Sequence, residues 1–177
     1  MKKFILSIIA LMAVMTVQAQ SICGSWQSMQ PEVKNLDDCY LMLNYIYTFN
    51  DDGTFSSVAD ITFSTKPEQT KEMEMALSGN VIGTYTLKGN KLTMYFNSNS
   101  LNLDVISLSM NGKVIDDRDL LSKITERIAK EARLKAAESF KDDVYNVKFN
   151  SNGSMLELTD KKETKTERYM RITTLKN

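Results

Sequence analysis

Apolar and polar residues alternate along three segments of the chain, and a tight-turn sequence interrupts each segment. The segments cover residues 47–55, 85–96 and 144–158, and their turns are Asp52-Gly53, Gly89-Asn90 and Asn152-Gly153. Alternation with a period of two places every second side chain on one face of a strand. Asp-Gly or Asn-Gly between two such runs is typical of a β-hairpin. The pattern therefore predicts three antiparallel hairpins.

The first hairpin also predicts an unevenly filled inner face. Before its turn, the odd positions from Leu41 to Phe49 are all bulky and apolar. After the turn, the odd positions are Phe55, Ser57, Ala59, Ile61 and Phe63. Because the middle two are small, the pattern indicates open space above them.

Three local irregularities refine the pattern. Gly83 lies inside a strand pattern, where glycine marks a bulge or a close backbone approach. The alternation of residues 101–105 changes parity at Ile106, which predicts a bulge, because one extra residue turns every following side chain to the other face. Pro67 suits the first position of a helix and predicts a short helix running through Met73 and Leu77.

The period then changes from 2 to 3.6 over residues 116–140. Asp116 and Asp117 suit a helix N-terminus, and one apolar stripe contains Leu120, Leu121, Ile124, Ile128 and Ala132. The charges on the other face have both signs, which favours a helix packed on the core over one lying on a membrane. The last hairpin and a strand near residues 168–173 follow.

About nine strands and one long helix predict a mainly β fold. A meander of eight or more strands commonly closes on itself, because closure removes the exposed edges. We therefore expect an up-and-down antiparallel β-barrel with one long amphipathic helix inserted before the last strands. A two-sheet sandwich remains the alternative, since the pattern alone does not show closure.

The N-terminus resembles an export signal. Lys2 and Lys3 precede an apolar run over residues 4–15, and Val17-Gln18-Ala19 offers a small-residue cleavage site. The run is too short for a transmembrane helix, which needs about 20 residues. We expect residues 1–19 to be a cleaved signal peptide and residues 20–177 to form one domain in the periplasm or outside the cell, with no transmembrane segment.

Two cysteines, Cys23 and Cys39, remain after cleavage. In an oxidising compartment a disulfide between them is favoured over two buried free thiols. Lipid modification of Cys23 is less favoured, because Ile22 precedes it where a small residue is needed.

The composition argues against several functions. The chain has no histidine, which removes the commonest acid-base side chain and metal ligand, so we expect neither catalysis nor a bound metal or cofactor. Acidic and basic residues balance at 22 each, so the basic surface that nucleic acids require is absent. Paired aspartates occur at turns and at the helix start, where they bond the backbone.

Aromatic residues concentrate on the inward positions of the predicted strands. They can be read as a packed core or as the wall of a ligand pocket with hydroxyl groups to orient its guest. In the second reading the candidate cavity-lining residues are Tyr45, Tyr47, Phe55, Ser57, Ala59, Phe63, Tyr85, Met94 and Phe96.

Gly24-Ser25-Trp26, the two hairpins over residues 47–55 and 85–96, and the closing segment 168–172 together resemble the secreted bacterial lipocalin-like (calycin) domains. The long helix departs from a minimal lipocalin, which carries its helix after the last barrel strands. In that family the tryptophan of the Gly-x-Trp motif lies at the closed end of the barrel and an arginine of a late strand packs across it. The resemblance implies this role for Trp26, with Arg171 or Arg168 as the arginine.

The family resemblance implies a non-catalytic protein that carries or sequesters a small hydrophobic or amphipathic molecule inside the barrel. The alternative is a cell-envelope or secreted interaction module with a solidly packed barrel, whose loops or helix contact another protein. The two differ in whether a cavity of several hundred cubic ångströms lies beside Ser57 and Ala59.

Overall fold

The computed structural model describes residues 21–67, 69, 71–139, 143–161 and 165–172, and for residues 136–139 it describes the backbone only. The predicted signal peptide, residues 1–19, lies outside the described residues. The regular elements are β1 (Gly24–Ser28), β2 (Glu32–Asn35), β3 (Cys39–Phe49), β4 (Thr54–Thr65), β5 (Met73–Lys88), β6 (Lys91–Phe96), a 3-10 turn (Ser98–Ser100), β7 (Asn102–Met110), β8 (Lys113–Val114), α1 (Arg118–Ser139), β9 (Asp143–Phe149), β10 (Met155–Asp160) and β11 (Thr166–Ile172).

Eight of the strands close into an antiparallel barrel. Around the ring the order is β1-β3-β4-β5-β6-β9-β10-β11, and β11 returns to pair with β1. The three predicted hairpins are the pairs β3–β4, β5–β6 and β9–β10. The predicted β-barrel, with its helix inserted before the last strands, is confirmed, and the sandwich alternative is excluded.

The barrel is closed at one end and forked at the other, because two of its long strands, β3 and β5, change partners along their length. On one edge, β3 pairs with β1 over residues 46–49 and with β2 over residues 40–43. Likewise, β5 pairs with β6 over residues 83–88 and with β7 over residues 73–80. We call the end that contains β1 and β6 the closed end. The end that contains β2 and β7 is the forked end.

The closed end holds the hydrophobic core. Its fully buried side chains include Trp26, Phe49, Phe55, Leu92, Met94, Leu156, Leu158 and Tyr169. Burying one such large apolar side chain contributes about 1.5–3 kcal/mol relative to leaving it in water. The stability of the barrel is therefore concentrated at this end.

Trp26 is anchored at the closed end by polar and cationic contacts. Its indole Nε1 donates a hydrogen bond of 2.7 Å to the carbonyl of Ile22. The Arg171 guanidinium lies 4.3 Å from the ring centroid and donates to the carbonyls of Cys23 (3.0 Å) and Ser21 (2.8 Å). Arg168 instead points outward and pairs with Glu157 at 2.9 Å. Of the two arginines considered from the sequence, Arg171 is thus the one that covers the tryptophan.

Both irregularities predicted within strands are present. In the β5–β7 ladder, Ala76 faces Ser107 and Leu77 faces Val105, so Ile106 is the extra residue of a bulge. A Cβ atom on Gly83 would lie 2.2 Å from the carbonyl oxygen of Tyr95, so only glycine allows this approach of β5 and β6.

The short helix predicted through Met73 and Leu77 is wrong. Met73 begins β5, which has backbone partners on both sides here, in β4 and in β7. Backbone pairing on both edges of β5 outweighs the local preference for a helix that begins at Pro67. Where they are described, the residues after Pro67 form a turn.

The predicted disulfide between Cys23 and Cys39 does not form, and both residues are free thiols. Cys23 precedes β1 at the closed end, where Gly24 pairs with Phe49. Cys39 is the first residue of β3, at the forked end, and Phe49 is the last. Ten residues of strand at about 3.3 Å each separate Cys39 from Phe49 by about 33 Å. A disulfide requires Cα atoms within about 7 Å, so the barrel keeps the cysteines apart.

The helix α1 packs against β7 and the 3-10 turn. Asp117 caps its N-terminus, with Oδ1 accepting a hydrogen bond of 3.0 Å from the amide of Leu120. Arg133 Nε donates to the carbonyl of Leu101 at 2.8 Å. Of the helix side chains that the structure describes, Ala129 alone is buried. Within the described residues, no helix combines the length and apolar character needed to span a membrane.

Candidate functional site

A cavity of about 580 Å³ lies inside the barrel toward the forked end. Its apolar wall contains Leu43, Ile61, Val81, Leu101 and Leu103. Its aromatic wall contains Tyr45, Tyr47, Phe96 and Tyr145. The volume lies within the range of about 300–1,000 Å³ that is typical of small-molecule sites.

The cavity exists because small residues meet across neighbouring strands. Ala59 pairs with Tyr45 on one side and with Gly79 on the other, so two of the three residues in this row have almost no side chain. In the next row Ser57 pairs with Tyr47 and Val81. All six of these residues line the cavity, which lies at the position that the small residues of β4 indicated.

Five of the nine cavity-lining candidates from the sequence lie on this cavity: Tyr45, Tyr47, Ser57, Ala59 and Phe96. Phe55 and Met94 lie instead in the packed core of the closed end, 1% and 0% exposed. Tyr85 is also at that end, where its hydroxyl donates to the carbonyl of Asn50 at 2.6 Å. Phe63 is half-buried on β4 between Leu41 and Met75. Alternation identified which side chains face the inside of the barrel, but not how far along the barrel axis each of them lies.

The charged groups of the site were missed from the sequence. The cavity is also lined by Glu32, Lys34, Asn80, Asp143, Asp160, Lys165 and Glu167. Most of them come from strand ends and connections, where charged residues are common and alternation carries no information. Tyr145 was also missed, although it occupies an inward position of the third hairpin and alternation could have identified it.

An ion-pair network crosses one side of the cavity, between β2 and β11. Lys165 Nζ lies 2.6 Å from Glu32 Oε1 and 3.0 Å from Glu167 Oε1. The Tyr45 hydroxyl donates to Glu32 Oε2 at 3.3 Å, and the Tyr169 hydroxyl donates to Glu167 Oε2 at 2.5 Å. Two tyrosines, two carboxylates and one ammonium group thus form a continuous network.

The network favours the charged forms of Glu32 and Lys165. Burial alone would raise the pKa of Glu32, but the hydrogen bond from Lys165 and the charge of Lys34 hold it below its ordinary value. Burial alone would lower the pKa of Lys165, but its bonds to Glu32 and Glu167 raise it above its ordinary value. At neutral pH Glu32 and Lys165 are therefore both charged.

The tyrosines of the cavity stay neutral well above pH 10. Burial raises the pKa of Tyr45, Tyr47 and Tyr145, and their mutual proximity and the nearby carboxylates raise it further. Tyr45 and Tyr47 stack with their ring centroids 6.1 Å apart. The cavity therefore offers flat aromatic faces and phenolic hydroxyl groups to a guest, with charged groups on one side.

A second cavity of about 240 Å³ borders the ion-pair network. The connection between β1 and β2 forms part of its wall through Met29, Gln30 and Pro31. Four residues line both cavities: Glu32, Tyr45, Lys165 and Glu167. Among the described residues, no group of three or more potential ligand side chains is arranged to hold a metal ion.

The comparison with protein families agrees with the geometry. A family model for the lipocalin-like domain matches residues 22–112, just over half of the chain. The match covers β1 to β7, and the last three strands complete the ring outside it. A search among curated proteins found no match. An eight-stranded antiparallel barrel together with this match shows that the chain belongs to the lipocalin-like domain family.

Proposed function

We propose that this protein binds a small amphipathic molecule in the main cavity of its barrel and does not act as an enzyme. The single observation that carries the proposal is the cavity of about 580 Å³ beside Ser57 and Ala59. Its wall combines apolar and aromatic surface with tyrosine hydroxyls and one charged side, which suits a ligand with an apolar body and a polar end.

The distribution of packing supports the binding role over that of a solid interaction module. The closed end is filled by fully buried aromatic and aliphatic side chains, and the space lies only toward the forked end. Protein interiors are otherwise packed as densely as organic crystals, so a cavity of this size has a cost in stability that binding would justify. A barrel serving only as a scaffold has no need of it.

A matched pair of variants tests the binding function. Ala59→Trp places an indole in the cavity, whereas Val58→Trp places it on the outer face of the same strand, where Val58 is 39% exposed. With the neutral fluorophore N-phenyl-1-naphthylamine as probe, Ala59→Trp should weaken binding at least about ten-fold, or 1.4 kcal/mol. Val58→Trp should bind like the wild type. Equal binding by both variants would show that the probe lies elsewhere.

The identity of the natural ligand requires the protein from its own cells. Native mass spectrometry of the purified protein should show a bound small molecule that the Ala59→Trp variant, produced in the same way, has lost. An enzymatic role would appear instead as chemical turnover of that molecule. We propose none, because the chain lacks histidine, the commonest acid-base side chain.

We also propose that the protein is exported and works outside the cytoplasm. The support is the sequence of residues 1–19, a basic start, an apolar run and a small-residue cleavage site. Intact-mass measurement of the protein from the periplasm or medium should give a chain that begins at Gln20. A full-length chain that retains Met1 would contradict the proposal.

A further inference from the structure

The wall of the main cavity has a seam where no backbone ladder joins the strands. Among the described residues, β11 pairs with β1 only over residues 169–172, and β2 pairs with β3 through its other edge. The last backbone bond on this side runs from the Met29 amide to the Arg168 carbonyl, at 2.9 Å. Beyond that bond, β2 and β11 are joined by side chains alone. We call the contact of Glu32, Lys165 and Glu167 the β2–β11 seam.

One side chain holds the seam closed. Lys165 bonds Glu32 of β2 at 2.6 Å and Glu167 of β11 at 3.0 Å, so it connects the two strands directly. Its side chain is 42% exposed, and ion pairs in contact with water contribute only about 0–1 kcal/mol. Swinging Lys165 into solvent therefore costs little, and no backbone hydrogen bond needs to break.

The two cavities meet at this seam. Glu32, Lys165 and Glu167 belong to the walls of both, and so does Tyr45. The smaller cavity of about 240 Å³ is bounded by the β1–β2 connection, a loop at the barrel surface. When Lys165 moves aside, the two cavities become one bent passage from this surface into the barrel.

We propose that the β2–β11 seam is a lateral portal through which the ligand enters and leaves the main cavity, and that Lys165 closes it. This inference rests on the proposed binding function and extends it. The ligand it suits is an elongated amphiphile with its apolar part among the tyrosines and its polar end at the seam. There the carboxylates accept hydrogen bonds and the Lys165 ammonium group donates them.

The test is the exchange rate of a bound probe, with a matched control. Lys165→Met keeps the length of the side chain and removes its charge, so the seam loses both ion pairs. Lys148→Met is the control, because Lys148 is an exposed lysine of β9 that lines neither cavity. Stopped-flow mixing with N-phenyl-1-naphthylamine gives the association and dissociation rates.

Lys165→Met should raise both rates by up to about five-fold, which corresponds to about 1 kcal/mol, the upper value for an exposed ion pair, with little change in Kd. Lys148→Met should exchange the probe like the wild type, and Lys165→Arg should restore slow exchange. Raising the salt concentration to 1 M should speed exchange in the wild type and not in Lys165→Met, because salt screens exposed ion pairs.

The failure of the portal and the failure of the binding function give different results. If the probe binds and Lys165→Met exchanges it at the wild-type rate, the portal is overturned and the binding function stands. If the wild type takes up no probe, both are overturned. Circular dichroism spectra and thermal midpoints of the variants establish that they are folded. If Lys165→Met is not, Lys165→Gln removes the same charge with a polar side chain.

Discussion

At the scale of single residues, two residue types with special structural uses, the tryptophan Trp26 and the glycine Gly83, occupy tightly packed positions. Trp26 is the only tryptophan of the chain and is fully buried. Gly83 interrupts a strand and admits the carbonyl of Tyr95 and the ring of Phe55. Both positions could be identified from the sequence, because each residue type has a narrow set of structural uses. The contacts of Trp26 could not, because Arg168 and Arg171 lie on opposite faces of β11 and both faces carry apolar residues. Tyr169 shares the face of Arg171 and is buried, whereas Met170 shares the face of Arg168 and is exposed.

Replacing Trp26 by alanine should destabilise the protein by about 3–5 kcal/mol. The substitution opens a cavity in the closed end and leaves the Arg171 guanidinium without the ring that it covers. Urea denaturation followed by circular dichroism measures the change, since the variant has no tryptophan fluorescence. Tyr95→Ala, at a side chain 42% exposed, is the control and should cost far less. A wild-type midpoint for Trp26→Ala would contradict the packing described.

Replacing Gly83 by alanine should cost about 1–3 kcal/mol, as is usual when atoms are forced into a filled core. The new Cβ atom would meet the Tyr95 carbonyl oxygen at 2.2 Å and Phe55 Cε1 at 2.6 Å. A backbone carbonyl in a ladder does not move aside easily. Thr84→Ala on the next, exposed position of β5 is the control. Equal midpoints of the two variants in urea denaturation would show that β5 and β6 separate without cost.

At the scale of elements, the sequence predicted the pairing of neighbours better than the pairing of distant segments. The three hairpins, the bulge at Ile106 and the helix before the last strands are local patterns, and all are present. The first half of β5 was mistaken for a helix, because Met73 and Leu77 are spaced for either structure. Only β4 and β7, which pair with it from both sides, decide between them.

Removing the cap of α1 should loosen this helix more than the barrel. Asp117→Ala deletes the bond from the Leu120 amide, and loss of such a cap costs about 1 kcal/mol. Because α1 packs mainly on β7, we expect faster hydrogen exchange of α1 amides by about five-fold, with little change in β10 and β11. Asp116→Ala, one residue earlier, is the control. Uniformly faster exchange across the protein would show that α1 and the barrel unfold as one unit.

At the scale of the whole molecule, the packed core and the main cavity lie at opposite ends of one barrel. The closed end contains Trp26 and the fully buried aromatic residues, and the forked end contains the cavity. The small residues of β4 predicted the open space, because a gap in a row of bulky side chains leaves room beside it, but they did not predict at which end of the barrel it lies. The ion-pair network was beyond prediction, since Glu32 and Lys165 are 133 residues apart and meet only through closure of the ring.

The raised pKa values of the buried tyrosines make alkaline pH a test of the whole arrangement. Burial raises the pKa of Tyr47 and Tyr169 well above the ordinary value near 10. Above pH 10 the unfolded chain releases these protons while the folded protein retains them, so the free energy of unfolding falls as pH rises. Each fully buried tyrosine contributes a slope of about 1.4 kcal/mol per pH unit. Below pH 10 both states keep the protons, and this contribution is constant.

Tyr47→Phe should therefore make the fall in stability above pH 10 shallower by the equivalent of one proton, whatever it does to stability at neutral pH. Urea denaturation at a series of pH values between about 9 and 11.5 measures the slope. Tyr40→Phe, at a side chain 39% exposed, is the matched control and should keep the wild-type slope. If Tyr47→Phe and the wild type lose stability in parallel, the Tyr47 hydroxyl ionises freely in the folded protein. The cavity wall at Tyr47 would then be open to water, and the dry aromatic surface on which the proposed binding function depends would be absent.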